Sequence, residues 1–177
     1  MAASAVAGAG PAVAGVREAA APRGAGDALA APSFLDRIAG AIAEGERGHA
    51  GQVMFAVESD LPLAALWRGV SPRERAEHAF AVLRTWDTQD NNGVLLYLLL
   101  ADHAVEIVAD RGLHGRIDPA QWRQVCEEFG RRRREGDLEA AVLAAIAAIS
   151  ALLATHFPAD PGQARGNELP DRPQLLG

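Results

Sequence analysis

The chain contains no lysine: all 17 of its basic residues are arginine, set against 23 acids, for a formal net charge of −6 over 177 residues. A chain this acidic draws cations rather than polyanions, which excludes non-specific attraction to nucleic acid or to an anionic membrane surface. Cysteine occurs once, at Cys126, so an internal disulfide and a thiolate metal cluster are excluded as well. That suits a reducing compartment, and a cytoplasmic location is expected. Aromatics make up 5% of the residues, and Trp67, Trp86 and Trp122 fall in separate segments. They form no base-stacking row and are expected in the core or at its rim. No apolar run reaches the roughly 18–20 residues that span a bilayer. The longest, Ala140 to Thr155, has Asp137 and Glu139 on its flank, and it is expected to be a core helix rather than a membrane span.

What is present is enough for one domain, since about 150 residues bury roughly 68–70% of their unfolded surface. Residues 1–32 are nearly all Ala, Gly, Pro and Val, without the basic start and Leu/Phe-rich stretch of a secretory signal, and a disordered tail is expected. Residues 33–157 carry the periodic patterns of a folded domain. Residues 158–177 are rich in Pro, Asp, Gly and Asn, which predicts an irregular C-terminal tail.

Within the domain, Ser33 and Asp36 have capping-box spacing ahead of Phe34, Leu35, Ile38 and Ile42, which share one helical face. Val53–Val57 is a short apolar run with β-branched and aromatic residues, a first strand closed by Glu58, Ser59, Asp60 and Pro62. Ser71-Pro72 with Glu74 opens a second helix reaching about Thr85. Val94–Leu100 and Ala104–Ala109 read as a hairpin turning at Asp102-His103. Asp118-Pro119 opens a third helix and Asp137 caps the last.

A helix between the first two strands predicts that they run parallel, with both starts at one edge of the sheet. The third strand runs back, so Asp90, Asn91, Asn92, Asp110 and Arg111 are expected to meet at that edge, with Glu46, His49 and Gln52 just before the first strand. Asp87 and Asp118 lie in loops able to close over them. Glu58, Ser59, Asp60, Asp102 and His103 collect at the far end, where parallel α/β sheets usually bind ligands.

Three stretches resemble the TPM domain, a family named for founding members in the thylakoid lumen, photosystem II repair and acetylcholine-receptor modulation. "GERGHAGQVMFAVE" resembles its first helix end and strand, with Glu46, His49 and Gly51 in place and Gln52 where many bacterial members have Glu. "NNGVLLYLLLADHAVEIVADRGL" resembles its Asp-Asn-Gly-Val-Leu-Leu hairpin, and "FGRRRREGDLEAAV" its closing segment. "RERAEHAF", "WDT" and "NELPDRP" look like a bacterial branch. The resemblance implies an α/β fold, a small mixed sheet with helices on both faces. It also implies a loop-lined acidic cleft that binds divalent cations in some members, weak acid phosphatase activity as attributed to a plant member, and action through protein assembly in others. The chain departs at Asn91, where the family has aspartate, and at Val108 to Gly112, where it has Glu-Thr-Gly-Tyr-Gly.

Each motif carries two readings. Asp87, Asp90, Asn91, Asn92 and Asp110 offer the hard oxygen ligands that Ca²⁺ or Mg²⁺ requires, and Asp, Asn and Gly equally build a plain turn. Glu46-x-x-His49 has the spacing of helical metal ligands, or places a histidine at a helix C-terminus that favours its positive form. Arg111 can hold a phosphate bidentately or pair with Asp110. The run Arg131–Arg134 is better paired with Glu127 and Glu128 on a solvated helix face than aimed at nucleic acid. No Cys-x₅-Arg, Asp-x-Asp or Ser/His/Asp arrangement supplies a nucleophile. The expected function is therefore a divalent-cation-binding cleft with at most weak metal-dependent phosphatase activity. A non-catalytic adaptor for a protein partner is the alternative, and the oligomeric state is left open.

Overall fold

The computed structural model describes residues 32–160, 162 and 166–177; of the expected N-terminal tail, residues 1–31 lie outside these. Helix α1 spans Pro32–Glu46. It starts one residue before the expected Ser33 cap, because proline suits a first helical turn, where no partner for its missing N–H is needed. Phe34, Leu35, Ile38 and Ile42 are all buried, as their spacing requires.

Strand β1 is Gln52–Glu58, followed by a five-residue helix α2, Leu63–Trp67, that the sequence pattern did not reveal. Helix α3, Pro72–Val82, opens with a full capping box in which the Ser71 side chain and Glu74 satisfy each other's backbone. Strand β2, Gly93–Leu99, pairs parallel with β1 from Gln52↔Gly93 to Glu58↔Leu99. Strand β3, Ala104–Ala109, returns antiparallel, with Val94↔Ala109 and Leu99↔Ala104 as its limiting pairs. The turn between them is Leu100 to His103, closed by the His103 N–H on the Leu100 carbonyl at 3.1 Å, with His103 in the left-handed region. It is thus wider than the expected two-residue Asp102-His103 link.

Helix α4, Pro119–Arg134, is capped by Asp118, and α5, Leu138–His156, by Asp137, both as expected. Glu128 takes Arg131 and Arg132 in ion pairs, and Glu135 takes Arg131, which keeps the arginine run on a solvated face. The tail departs from expectation. Its last residues, Gln174–Leu176, form strand β4, which pairs parallel with β1 at Ala56–Glu58 and completes the order β3-β2-β1-β4.

Both faces of the sheet are covered, so β1 and β2 are buried along their whole lengths and read as unbroken apolar runs rather than alternating ones. Val53, Phe55, Val57, Val94, Leu96 and Leu98 share a core with α1, α4 and α5. Met54, Ala56, Leu95, Tyr97 and Leu99 share the other with α2, α3 and Leu169. Helix α5 is 19 residues long and by length and composition alone could cross a membrane; here Val142, Ile146, Ile149 and Leu153 are buried in the core, with α1 and α4 as neighbours. Trp122 is buried as expected, whereas Trp67 stands 84% exposed on α2.

Candidate functional site

The parallel pairing of β1 and β2 brings their starts to one edge, and the β2–β3 hairpin brings Asp110 there too. Its N–H donates to the Gly93 carbonyl at 2.9 Å. The next residues lie directly on the 90–92 loop: the Gly112 N–H donates to the Asn91 carbonyl at 2.8 Å, and Arg111 Nε to Asn91 Oδ1 at 2.8 Å. Asn91 accommodates this with a left-handed backbone, φ 54°, which asparagine tolerates because its short side chain bonds locally.

Two glycines make the approach possible. A Cβ on Gly93 would stand 1.9 Å from the Thr85 carbonyl oxygen, and one on Gly112 would stand 2.4 Å from that of Asp90 and 2.5 Å from that of Asn91. The glycine of the Asn-Gly-Val stretch and the glycine after β3 are thus contact residues: each lets one loop lie against another with no side chain between.

Asp110 is 2% exposed. Its Oδ1 accepts from the Arg111 N–H at 2.7 Å, capping the short turn Arg111–Leu113, and its Oδ2 is buried with no hydrogen-bond partner. Burial raises its pKa against the opposing pull of that N–H and of the Arg111 charge. The Arg111 guanidinium reaches Asn91 through Nε, in place of the expected pairing with Asp110. Asn92, 1% exposed, takes its N–H to Thr88 Oγ1 at 3.0 Å and its amide Nδ2 to the Ala50 carbonyl at 2.7 Å, leaving Oδ1 buried without a partner.

The remaining expected residues have local partners. Asp87 is exposed and pairs with Arg84. Asp118 accepts from the Ala120 N–H as a helix cap. Asp90 is exposed at the loop surface. Glu46 accepts from the Val53 N–H at 2.7 Å, and burial, with Asp171 nearby, lifts its pKa to about 7. His49, 3% exposed, donates from Nδ1 to the Gly51 carbonyl at 2.9 Å, and burial lowers its pKa. It is thus a buried ring held to the backbone rather than a solvated helix-end histidine.

Local pattern could not reveal what the tail adds. Gln52 Oε1 accepts the backbone N–H of Glu168 at 2.8 Å and of Leu169 at 3.1 Å, while Glu168 accepts the Gln89 N–H at 2.7 Å. The tail therefore lies against the same edge and adds Glu168 and Asp171 to it. At the far end, Glu58 is fully buried, held by Arg75 at 2.6 and 2.7 Å and by the Tyr97 hydroxyl at 2.5 Å. Its oxygens are satisfied, so this group braces α3 against the sheet and offers no open ligand position. Among the described residues no three His, Cys, Asp or Glu side chains are grouped so as to hold a metal ion.

The fold is thus a mixed four-stranded sheet covered by helices, with Asn92 and Asp110 buried at the edge where β1 and β2 start. The TPM domain profile matches residues 32–152, and the chain belongs to the TPM domain family. Among solved structures it is similar to the NMR structure of the BA42 protein from the psychrophilic bacterium Bizionia argentinensis, with a TM-score of 0.70 and 21% identity over 81% of this chain and 93% of that one. That likeness extends to the fold. Among curated proteins nothing matches the sequence.

Proposed function

We propose that this chain is a binding module whose mouth takes a divalent cation weakly. The supporting observation is Asp110 Oδ2, a buried carboxylate oxygen without a hydrogen-bond partner, on a turn packed against the loop that carries Asp90 and Asn91. Native proteins rarely leave such an atom unpaired, and a hard cation satisfies it better than any neutral donor. Asn92 Oδ1, also buried without a partner, offers a second oxygen; Asp90 lies on the same loop, and Asp87 and Asn91 would join only by leaving Arg84 and Arg111. With no group of three acids or histidines among the described residues, a cation here is completed by amide and peptide oxygens and by water, which favours micromolar to millimolar binding.

Backbone NMR under Ca²⁺ and then Mg²⁺ titration tests this reading. Saturable shifts are expected at Asp90, Asn91, Asp110 and Gly112, and they should vanish in Asp110→Asn. Shifts spread over all surface acids, or none at the mouth, would overturn it.

Phosphatase activity finds less support, because no Cys-x₅-Arg, Asp-x-Asp or Ser/His/Asp arrangement supplies a nucleophile. Turnover of a generic phosphomonoester is expected to match the blank with either metal. Turnover abolished by Asp90→Asn and Asp110→Asn would establish the enzyme instead. The adaptor reading draws on a different observation, the exposed Leu63, Leu66 and Trp67 of α2, since aromatic and aliphatic anchors of this kind are what partner surfaces use. A cytoplasmic setting with Cys126 reduced suits either role.

A further inference from the structure

The end of α1, the loop that follows it and the middle of α5 meet around two buried polar atoms that have no hydrogen-bond partner, His49 Nε2 and Ser150 Oγ. Their chemistry is complementary. His49 Nδ1 lies 2.9 Å from the Gly51 carbonyl, and a carbonyl can only accept, so Nδ1 carries a proton, and in the neutral ring Nε2 presents a lone pair. Ser150 carries a hydroxyl that can donate or accept.

They also lie close together. The position a Cβ would take on Gly45 is 2.2 Å from Ser150 Oγ and 3.7 Å from His49 Nε2. The two atoms are therefore within about 6 Å of each other, the span of two hydrogen bonds in series, while no direct bond joins them. Ser150 does not bond back along its own helix either, the usual resort of a helical serine.

We infer that this place is a hydration site: one enclosed water donates an O–H to His49 Nε2 and bonds through its other positions to Ser150 Oγ. A buried water with two to four polar partners is a common structural component, and leaving both groups unsatisfied would cost more than ordering it. Its effect is positional. His49 leads into Ala50, whose N–H donates to the Phe157 carbonyl at 2.8 Å and whose carbonyl accepts from Asn92 at 2.7 Å. A water that fixes His49 thereby fixes the loop joining α1, α5 and the start of β2.

The full chain, labelled with ¹⁵N, tests this directly. A long-range ¹⁵N–¹H spectrum should show His49 as the Nδ1–H tautomer, and water-selective NOE spectra should show a long-lived water at the His49 ring. In Ser150→Ala, a small change within an alanine-rich helix, the water cross-peak should disappear and Nε2 should shift. The Ala50 amide should exchange about tenfold faster, as expected when one buried acceptor loses its partner. An Nε2–H tautomer, or a His49 nitrogen shift and Ala50 exchange rate untouched by Ser150→Ala, would overturn the proposal. So would a crystal structure with Ser150 turned onto the Ile146 carbonyl and no water density beside His49.

Discussion

Gly112 lies against the backbone of Asp90 so closely that a Cβ would stand 2.4 Å from its carbonyl oxygen. Loops far apart in the chain are packed together at that contact. Gly112→Ala should therefore cost about 1–3 kcal/mol, the usual range for overpacking, and should weaken any cation response at Asp90. Gly40 is the control: it is helical and exposed, with nothing within 4 Å of an added Cβ, so Gly40→Ala should stabilise by about 0.5–1 kcal/mol. Urea midpoints of the two variants should move in opposite directions.

Gln52 holds the tail through two backbone N–H groups. Gln52→Ala is expected to cost about 1–3 kcal/mol, because those donors lose their acceptor. The loss should be local: hydrogen exchange should quicken at Glu168, Leu169 and Gln174–Leu176, while Leu95 and Leu96 at the sheet centre keep their protection. Equal acceleration at all these sites would mean that the tail is not a separable unit.

Glu58 is fully buried and ionised. Burial alone would raise its pKa, but hydrogen bonds from Arg75 and Tyr97 outweigh burial and hold it below the usual range. A lowered folded-state pKa contributes stability above the unfolded value of 4.5 that is lost as pH falls through the folded one. Arg75→Ala, which strands the carboxylate, should cost about 3–5 kcal/mol at pH 7. The gap to wild type should narrow in acid, as measured by denaturant unfolding across pH 3–7.

Glu46 shifts the opposite way. Its pKa is raised by burial to about 7 in the folded chain against 4.5 unfolded, so its contribution is present below pH 4.5 and lost as pH rises through 7. Glu46→Gln keeps an oxygen for the Val53 N–H and removes the titration. The variant should gain on wild type by on the order of 2 kcal/mol between pH 5 and 8, read from urea midpoints at the two pH values. An unchanged difference would place Glu46 in water.

The helices were legible because their signals are local. Ser71, Asp118 and Asp137 mark starts through bonds to residues two or three positions on, and the β2–β3 pairing follows from one short turn. Helix α2 is not legible because five residues hold too little periodicity. Nor is strand β4, because three residues among prolines have no pattern of their own; they are a strand only where β1 offers an edge.

The candidate mouth divides in the same way. Parallel β1 and β2 and a returning β3 were enough to bring the residues after β3 onto the 90–92 loop. What Asp110 then does depends on its neighbours: the Arg111 guanidinium reaches Asn91, which leaves one oxygen of Asp110 buried and unpaired. The Glu58 brace was equally hidden, since Arg75 and Tyr97 lie 17 and 39 residues away in the chain.

By itself, then, the sequence determined the longer helices and the three principal strands, their order and direction, and the family, because hydrophobic period, caps and turns act over a few residues. Tertiary structure alone decided which polar atoms are satisfied, where the tail lies and which acids gain or lose protons. Those outcomes turn on burial and on contacts between residues distant along the chain.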